Sequence, residues 1–149
     1  MTGVEIDMVV KDSLAAIKVY ESIFDVERVA VTDCSVGFNE AVFNIYGSRF
    51  HLLDENHEYQ LVSPKDGVPK SMWINVVVSD INATLKKAEK SGCLVVQPVT
   101  EKLNLGVINA LFADPFGYLW TLHQVTREIS FDERNEIITG NRLSEDMPK

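Results

Sequence analysis

The chain has 149 residues, with 22 acidic against 14 basic side chains and a formal charge of −8 at neutral pH. At 46% hydrophobic and 24% charged it has an ordinary globular composition, long enough for one domain with a real core, and neither disordered, collagen-like nor coiled-coil. A net-acidic chain without a basic cluster repels phosphate backbones, so nucleic acid is not an expected partner.

The first element is a β-branched run over 4–10, followed by Asp12, a residue suited to cap a helix. Leu14, Ile17, Tyr20 and Phe24 then recur at helical spacing and make the helix one-sided. Strand-like runs follow at 26–32, 41–46 and 49–53, the last two joined at Gly47-Ser48. A polar connector over 55–71 contains Pro64, Gly67 and Pro69. Beyond it the pattern starts again. A run at 73–78 leads to Asp80, Ile81, Leu85 and Ala88 give a second one-sided helix, and Gly92 supplies its stop. Strand-like runs follow at 94–99, 107–112 and 118–125, the last two joined by the turn Asp114-Pro115-Phe116-Gly117. Ser130-Phe131-Asp132-Glu133 is a capping box that opens a short helix from 131 to about 138, with a frayed polar tail after Gly140.

The recurrence is visible residue by residue. A shift of 68 positions lays Asp12 on Asp80, Val9-Val10 on Val77-Val78, Ala15 on Ala83, Lys18 on Lys86 and Glu21 on Glu89. The expected fold is therefore α+β, two βαβββ modules (4–54 and 72–126) in one domain of residues 1–126, with residues 127–149 as a C-terminal helix and tail. No apolar run approaches the roughly 20 residues of a membrane span. The opening Val4-Glu5-Ile6-Asp7 has acids where a secretion signal needs bases, so a cytoplasmic protein is expected, with no membrane partner. Cys34 and Cys93 are too few and too isolated for a disulfide framework and read as two reduced structural thiols.

Paired βαβββ modules, the Val10-Lys11-Asp12 ending with Tyr20 in the next helix, and above all Asp114-Pro115-Phe116-Gly117-Tyr118-Leu119-Trp120-Thr121-Leu122 resemble the vicinal oxygen chelate superfamily of glyoxalases, bleomycin-resistance proteins and dioxygenases. The Asp-Pro-Phe-Gly turn before Trp-Thr-Leu and the closing Ser-x-Asp-Glu helix are most similar to its PhnB-like branch. The resemblance implies curled mixed sheets with helices outside, completed by dimerisation. It also implies a metal set with one ligand from the first and one from the last strand of each module. Those positions here are Glu5, His51, Trp73 and Thr121. Glu5 and His51 are competent ligands, whereas Trp73 offers no lone pair and Thr121 is a poor neutral ligand, so no resident metal or other cofactor is expected.

Strand alternation sorts the side chains without reference to any family. Ile6, Met8, Val10, Ile74, Val76, Val78, Phe50, Leu52, Trp120 and Leu122 are expected under the helices. Glu5, Asp7, Arg49, His51, Trp73, Asn75, Thr121 and His123 are expected on the opposite, concave side. His57, in the connector, is expected to be exposed. Two functions fit. The first is a metal-free binder of an aromatic or cationic compound, in a cavity between modules, with Trp73 as its wall, Glu5 and Asp7 as its charge, and Arg49, Asn75, Thr121 and His123 among its ligand contacts. The second is a divalent-metal-dependent lyase, isomerase or dioxygenase, or an enzyme with Glu5 as general base and His51 as its catalytic partner. Both imply a small-molecule partner and a homodimer.

Overall fold

A computed structural model describes residues 2–68 and 70–146, with Met1, Pro69 of the connector and residues 147–149 of the tail outside them; the described residues form eight strands in two four-stranded mixed sheets, with three α-helices. The first half runs β1 (Ile6–Val10), α1 (Ser13–Ile23), β2 (Val26–Val31), β3 (Glu40–Ile45) and β4 (Ser48–Asp54). The second runs β5 (Ile74–Val77), α2 (Ile81–Lys90), β6 (Leu94–Lys102), β7 (Val107–Ala113) and β8 (Leu119–Val125), and α3 (Phe131–Asp146) follows. The sheets have matching orders, β1-β4-β3-β2 and β5-β8-β7-β6. In each, the first strand lies parallel to the fourth and the other pairs are antiparallel.

Both modules start their helices in the same way. Asp12 accepts from the Ala15 amide and Asp80 from the Ala83 amide, each at 3.0 Å, satisfying donors that a first helical turn leaves unpaired. Gly92, at φ +93°, lets the chain turn out of α2 in the left-handed region. Alternation then sets the faces. Met8, Val10, Phe50, Leu52, Val76, Val78, Trp120 and Leu122 are buried, and Ile6 and Ile74 pack at the margin of the same core. On α1 the buried set is Ala16, Ile17, Tyr20 and Ile23, with Phe24 just beyond; Leu14, expected with them, is half-buried because Ser13 and Ala16 occupy the close approach to the sheet.

The two halves share one core. The Trp120 ring lies 5.1 Å from Tyr20, 5.3 Å from Phe24 and 6.3 Å from Phe50, all three from the first module. Burying each large apolar side chain contributes about 1.5–3 kcal/mol. A polar bond fixes the packing: Tyr20 and Trp120 donate to Asp114 Oδ2 at 2.6 and 2.8 Å, while the Phe116 and Tyr118 amides donate to its Oδ1. The Asp-Pro-Phe-Gly turn is thus a structural anchor between the modules.

Two expectations change. The last helix extends from Phe131 to Asp146, well past 138: Ser130 caps it through the Glu133 amide, and Gly140 weakens a helix without stopping it. Of the two thiols, Cys93 is buried and burial pushes it up to about 12, whereas Cys34 is exposed in the loop before β3 and is not part of the core. The connector contains a 3₁₀ turn at His57–Tyr59 and an Asn56–Leu61 bridge. His57 is exposed as expected. Among the described residues no helix is long and apolar enough to cross a membrane.

Candidate functional site

The concave side of the first sheet is charged. Asp7 and His51 stand opposite each other in the β1–β4 pair, with Arg49 two residues earlier on β4 and Glu5 two residues before Asp7, just ahead of β1. Glu5 accepts from Arg49 Nε at 2.6 Å and from His51 Nδ1 at 2.9 Å, so Nδ1 carries a hydrogen. Asp7 Oδ1 lies 3.7 Å from the same nitrogen, and Glu40 Oε1, on β3, lies 3.4 Å from Nε2. Nε2 itself is buried and makes no hydrogen bond among the described residues. Three carboxylates therefore surround one imidazole, with Arg49 as the guanidinium among them. Arg49 first and His51 second hold the Glu5 carboxyl below its ordinary range. A depressed carboxylate is a weak base at neutral pH, which suits Glu5 to holding positive charge better than to taking a proton.

The corresponding side of the second sheet is neutral. Asn75 stands opposite Thr121, and His123 opposite Asn109. His123 Nδ1 bonds to Asn75 Oδ1, and Gln97 Nε2 donates to Asn109 Oδ1 at 3.0 Å. Burial, and to a smaller extent the charge of Arg134 on α3, holds His123 below the ordinary imidazole range, so the ring is uncharged at neutral pH.

Between the modules lies a cleft of about 430 Å³. Tyr46 and Ser48, from the β3–β4 turn, form one wall, and the stretch from Met72 to Val77 forms the other. Met72, Trp73 and Tyr46 are all largely exposed. Ile6 and Phe50 lie at the floor. That volume falls within the range of small-molecule sites, about 300–1,000 Å³.

The eight expected site residues thus form two groups, not one. Glu5, Asp7, Arg49 and His51 meet in one cluster; Asn75 and His123 meet in another, with Thr121 beside them; Trp73 and Asn75 line the cleft. Glu5 and His51 are not among the residues that line this cleft, whereas Trp73 and Asn75 are. The reason is register. Glu5 and Asp7 point away from the helices, while Ile6 between them turns toward the cleft floor. Glu40, Tyr46 and Met72 escaped the sequence reading. Alternation along β3 puts Glu40 on the outer side, but only its pairing with Leu53 brings it to His51.

Glu5, Asp7 and His51 each present a ligand atom within 4.8 Å of the others and can hold a divalent ion. The two-module ligand set is incomplete, since Trp73 and Thr121 stand at its other two positions.

The sequence profile of the Glyoxalase/Bleomycin resistance protein/Dioxygenase superfamily matches residues 4–122. An uncharacterised protein of Mycobacterium bovis is 32% identical over 132 residues, covering 85% of each chain. Among solved structures, the fosfomycin resistance protein FosX of Listeria monocytogenes, complexed with Mn(II) and sulfate, is similar at TM-score 0.66 and 16% identity, over 93% of this chain and 98% of that one. A putative 3-demethylubiquinone-9 3-methyltransferase, PhnB protein, of Bacillus cereus is similar at TM-score 0.61 and 15% identity, over 83% of this chain and 100% of that one. At these identities the structural likenesses establish the fold alone.

Proposed function

The chain belongs to the glyoxalase/bleomycin resistance protein/dioxygenase superfamily, the vicinal oxygen chelate fold, and from that premise we propose that it binds an aromatic small molecule in the cleft between its modules. The observation that carries this reading is the cleft itself, an apolar groove with Trp73 and Tyr46 exposed on opposite walls. Exposed aromatic rings on two sides of a groove hold a flat ligand by stacking. The acidic cluster on β1 and β4 favours a positively charged substituent, and binding needs no resident metal and breaks no bond.

The reading includes a homodimer, supported by the superfamily and by the outer edges of β1 and β5, which pair with no strand among the described residues. A cytoplasmic setting fits the two free cysteines.

The test is a fluorescence titration with proflavine, a flat aromatic cation. The change in proflavine's own fluorescence is followed, because replacing Trp73 would remove the exposed tryptophan and leave only the buried Trp120. Binding by the wild type, a smaller loss in Trp73→Phe and a loss of at least tenfold in Trp73→Ala support the proposal; equal affinity in wild type and Trp73→Ala overturns it.

A second reading has its own observation, the Glu5, Asp7 and His51 ligand atoms within 4.8 Å. A divalent ion there would supply Lewis-acid polarisation of a bound oxygen. Glu5 and Asp7 would then carry its charge and His51 would orient it, with Arg49 displaced from Glu5. Stoichiometric Mn(II) binding by calorimetry, abolished in Glu5→Gln/Asp7→Asn, would favour this reading.

A further inference from the structure

A smaller hollow, of about 170 Å³, lies at the end of the β3–β4 pair away from the Tyr46–Ser48 turn, and so apart from the cleft. Phe38, in the loop before β3, and Tyr59, in the 3₁₀ turn of the connector, line it together with Leu53, Leu61, Glu40 and Asp54. Phe38 is 57% exposed and Tyr59 65%, and neither packs against another ring among the described residues. Their backbones are nevertheless pinned. The Gly37 and Asn39 amides, on either side of Phe38, donate to Asp54 Oδ2 at 2.9 and 3.0 Å. Asn56, at the start of the Tyr59 turn, donates through Nδ2 to the Gly37 carbonyl at 3.0 Å. Two aromatic side chains thus stand in water on loops that are tied to each other, which preorganises them as walls.

The charge of the hollow has one sign, since Glu40 and Asp54 line it and no lysine, arginine or histidine does. Much of its hydrogen-bonding capacity is already used. Asp54 accepts from the Ser13 amide through Oδ1 and from the Gly37 and Asn39 amides through Oδ2. Asn39 Oδ1 accepts from Thr32 and Cys34, and its Nδ2 donates to the Cys34 carbonyl. The carboxylate with capacity to spare is Glu40. A primary ammonium would bring three N–H donors that need partners. A quaternary ammonium brings none, and its methyl groups suit rings and leucines. The volume falls below the about 300 Å³ at which sites enclose a whole ligand, so the hollow fits a head group.

We infer that this hollow binds the trimethylammonium head of a small soluble cation, held by cation–π attraction to Phe38 and Tyr59 and by the charge of Glu40. Charge complementarity argues for this occupant: the ionisable groups around the hollow are acidic, in a chain of net charge −8, and the faces of exposed aromatic rings attract cations. The inference goes beyond the cleft and does not rest on it, because the two hollows share no residue. Selectivity should follow charge more than shape. An uncharged molecule of the same form keeps the methyl contacts and loses the attraction to the rings and the carboxylate.

The test is an amide NMR titration of the protein with choline, with its uncharged isostere 3,3-dimethylbutan-1-ol, and with ethanolamine, its primary-amine counterpart. Choline is expected to perturb residues 37–40 and 59–61 and to bind about tenfold more tightly than either of the other two. Phe38→Ala and Tyr59→Ala should each weaken choline binding by about fivefold; both side chains are exposed, so the variants should keep the wild-type amide spectrum elsewhere. Equal affinity for choline and its isostere, or unchanged choline binding in the Phe38→Ala/Tyr59→Ala double variant, overturns the inference. So does an absence of choline binding, or choline perturbations centred on residues 45–48 and 72–77 of the cleft. Proflavine binding in the cleft is measured separately, so either reading can fail while the other stands.

Discussion

At the outer position just before the first strand, one module carries Glu5 and the other Trp73; next along it, Asp7 stands against Asn75. The fourth strands oppose Arg49 to Leu119 and His51 to Thr121, and the third strands oppose Glu40 to Asn109. The inner faces differ far less. Phe43 matches Phe112, Phe50 matches Trp120, Ala41 matches Ala110 and Leu52 matches Leu122, all buried. Close packing punishes changes of volume inside, while the open face is free to vary. One backbone frame therefore holds two chemistries, an acidic one that favours cations and a neutral one that favours hydrogen-bonding groups.

The largest effect is expected where the modules meet. Asp114→Ala removes the acceptor of four hydrogen bonds and strands the Tyr20 hydroxyl and the Trp120 N–H in the core. Urea unfolding should show a loss of about 3–5 kcal/mol, the scale of a broken buried network. Next come the two hairpin turns. Gly117 has φ +95° and an added Cβ would lie 3.0 Å from Pro64, whereas Gly47 has φ +85° with open space around it. Gly47→Ala should cost about 1–2 kcal/mol from backbone strain alone, and Gly117→Ala should cost more. Equal costs would mean that the connector does not press on the second turn.

Acid should separate the modules in order. A group whose folded pKa is depressed contributes stability that is complete above its unfolded pKa and is lost as pH falls through the folded value. His123 is depressed from 6.5, so its contribution starts to fall below about that pH. Glu5 is depressed from 4.5, and Asp54 from 3.8 because the hydrogen bonds from Ser13, Gly37 and Asn39 outweigh the opposing effect of its burial. The first module's losses thus come later. Denaturation followed from pH 8 to pH 3 should show a shallow first decline, absent in His123→Gln, before the steeper one. The smallest effect belongs to Arg134→Ala. It should move the His123 titration, followed by NMR, upward by a minor part of the whole shift, because burial is the larger cause.

How far the sequence foretold this varies by level. Alternation placed Met8, Val10, Trp120 and Leu122 inward, and the repeat around Asp12 and Asp80 announced both modules, because these depend on local periodicity alone. Glu40 beside His51, Tyr20 bonded to Asp114, and Tyr46 facing Trp73 across the cleft each depend on pairing register or on how the modules dock. Neither is written in the spacing of one strand. The Asp-Pro-Phe-Gly turn shows both sides: its shape was legible, while its bond to the other module was not.

The central claim, that ligand binds between the modules and is not held by either sheet alone, is most directly tested by amide NMR of the protein titrated with proflavine. Perturbations concentrated at residues 45–48 and 72–77 together are predicted. Perturbations confined to one module, or centred on the separate hollow of Lys11, His57 and Lys65, would contradict it.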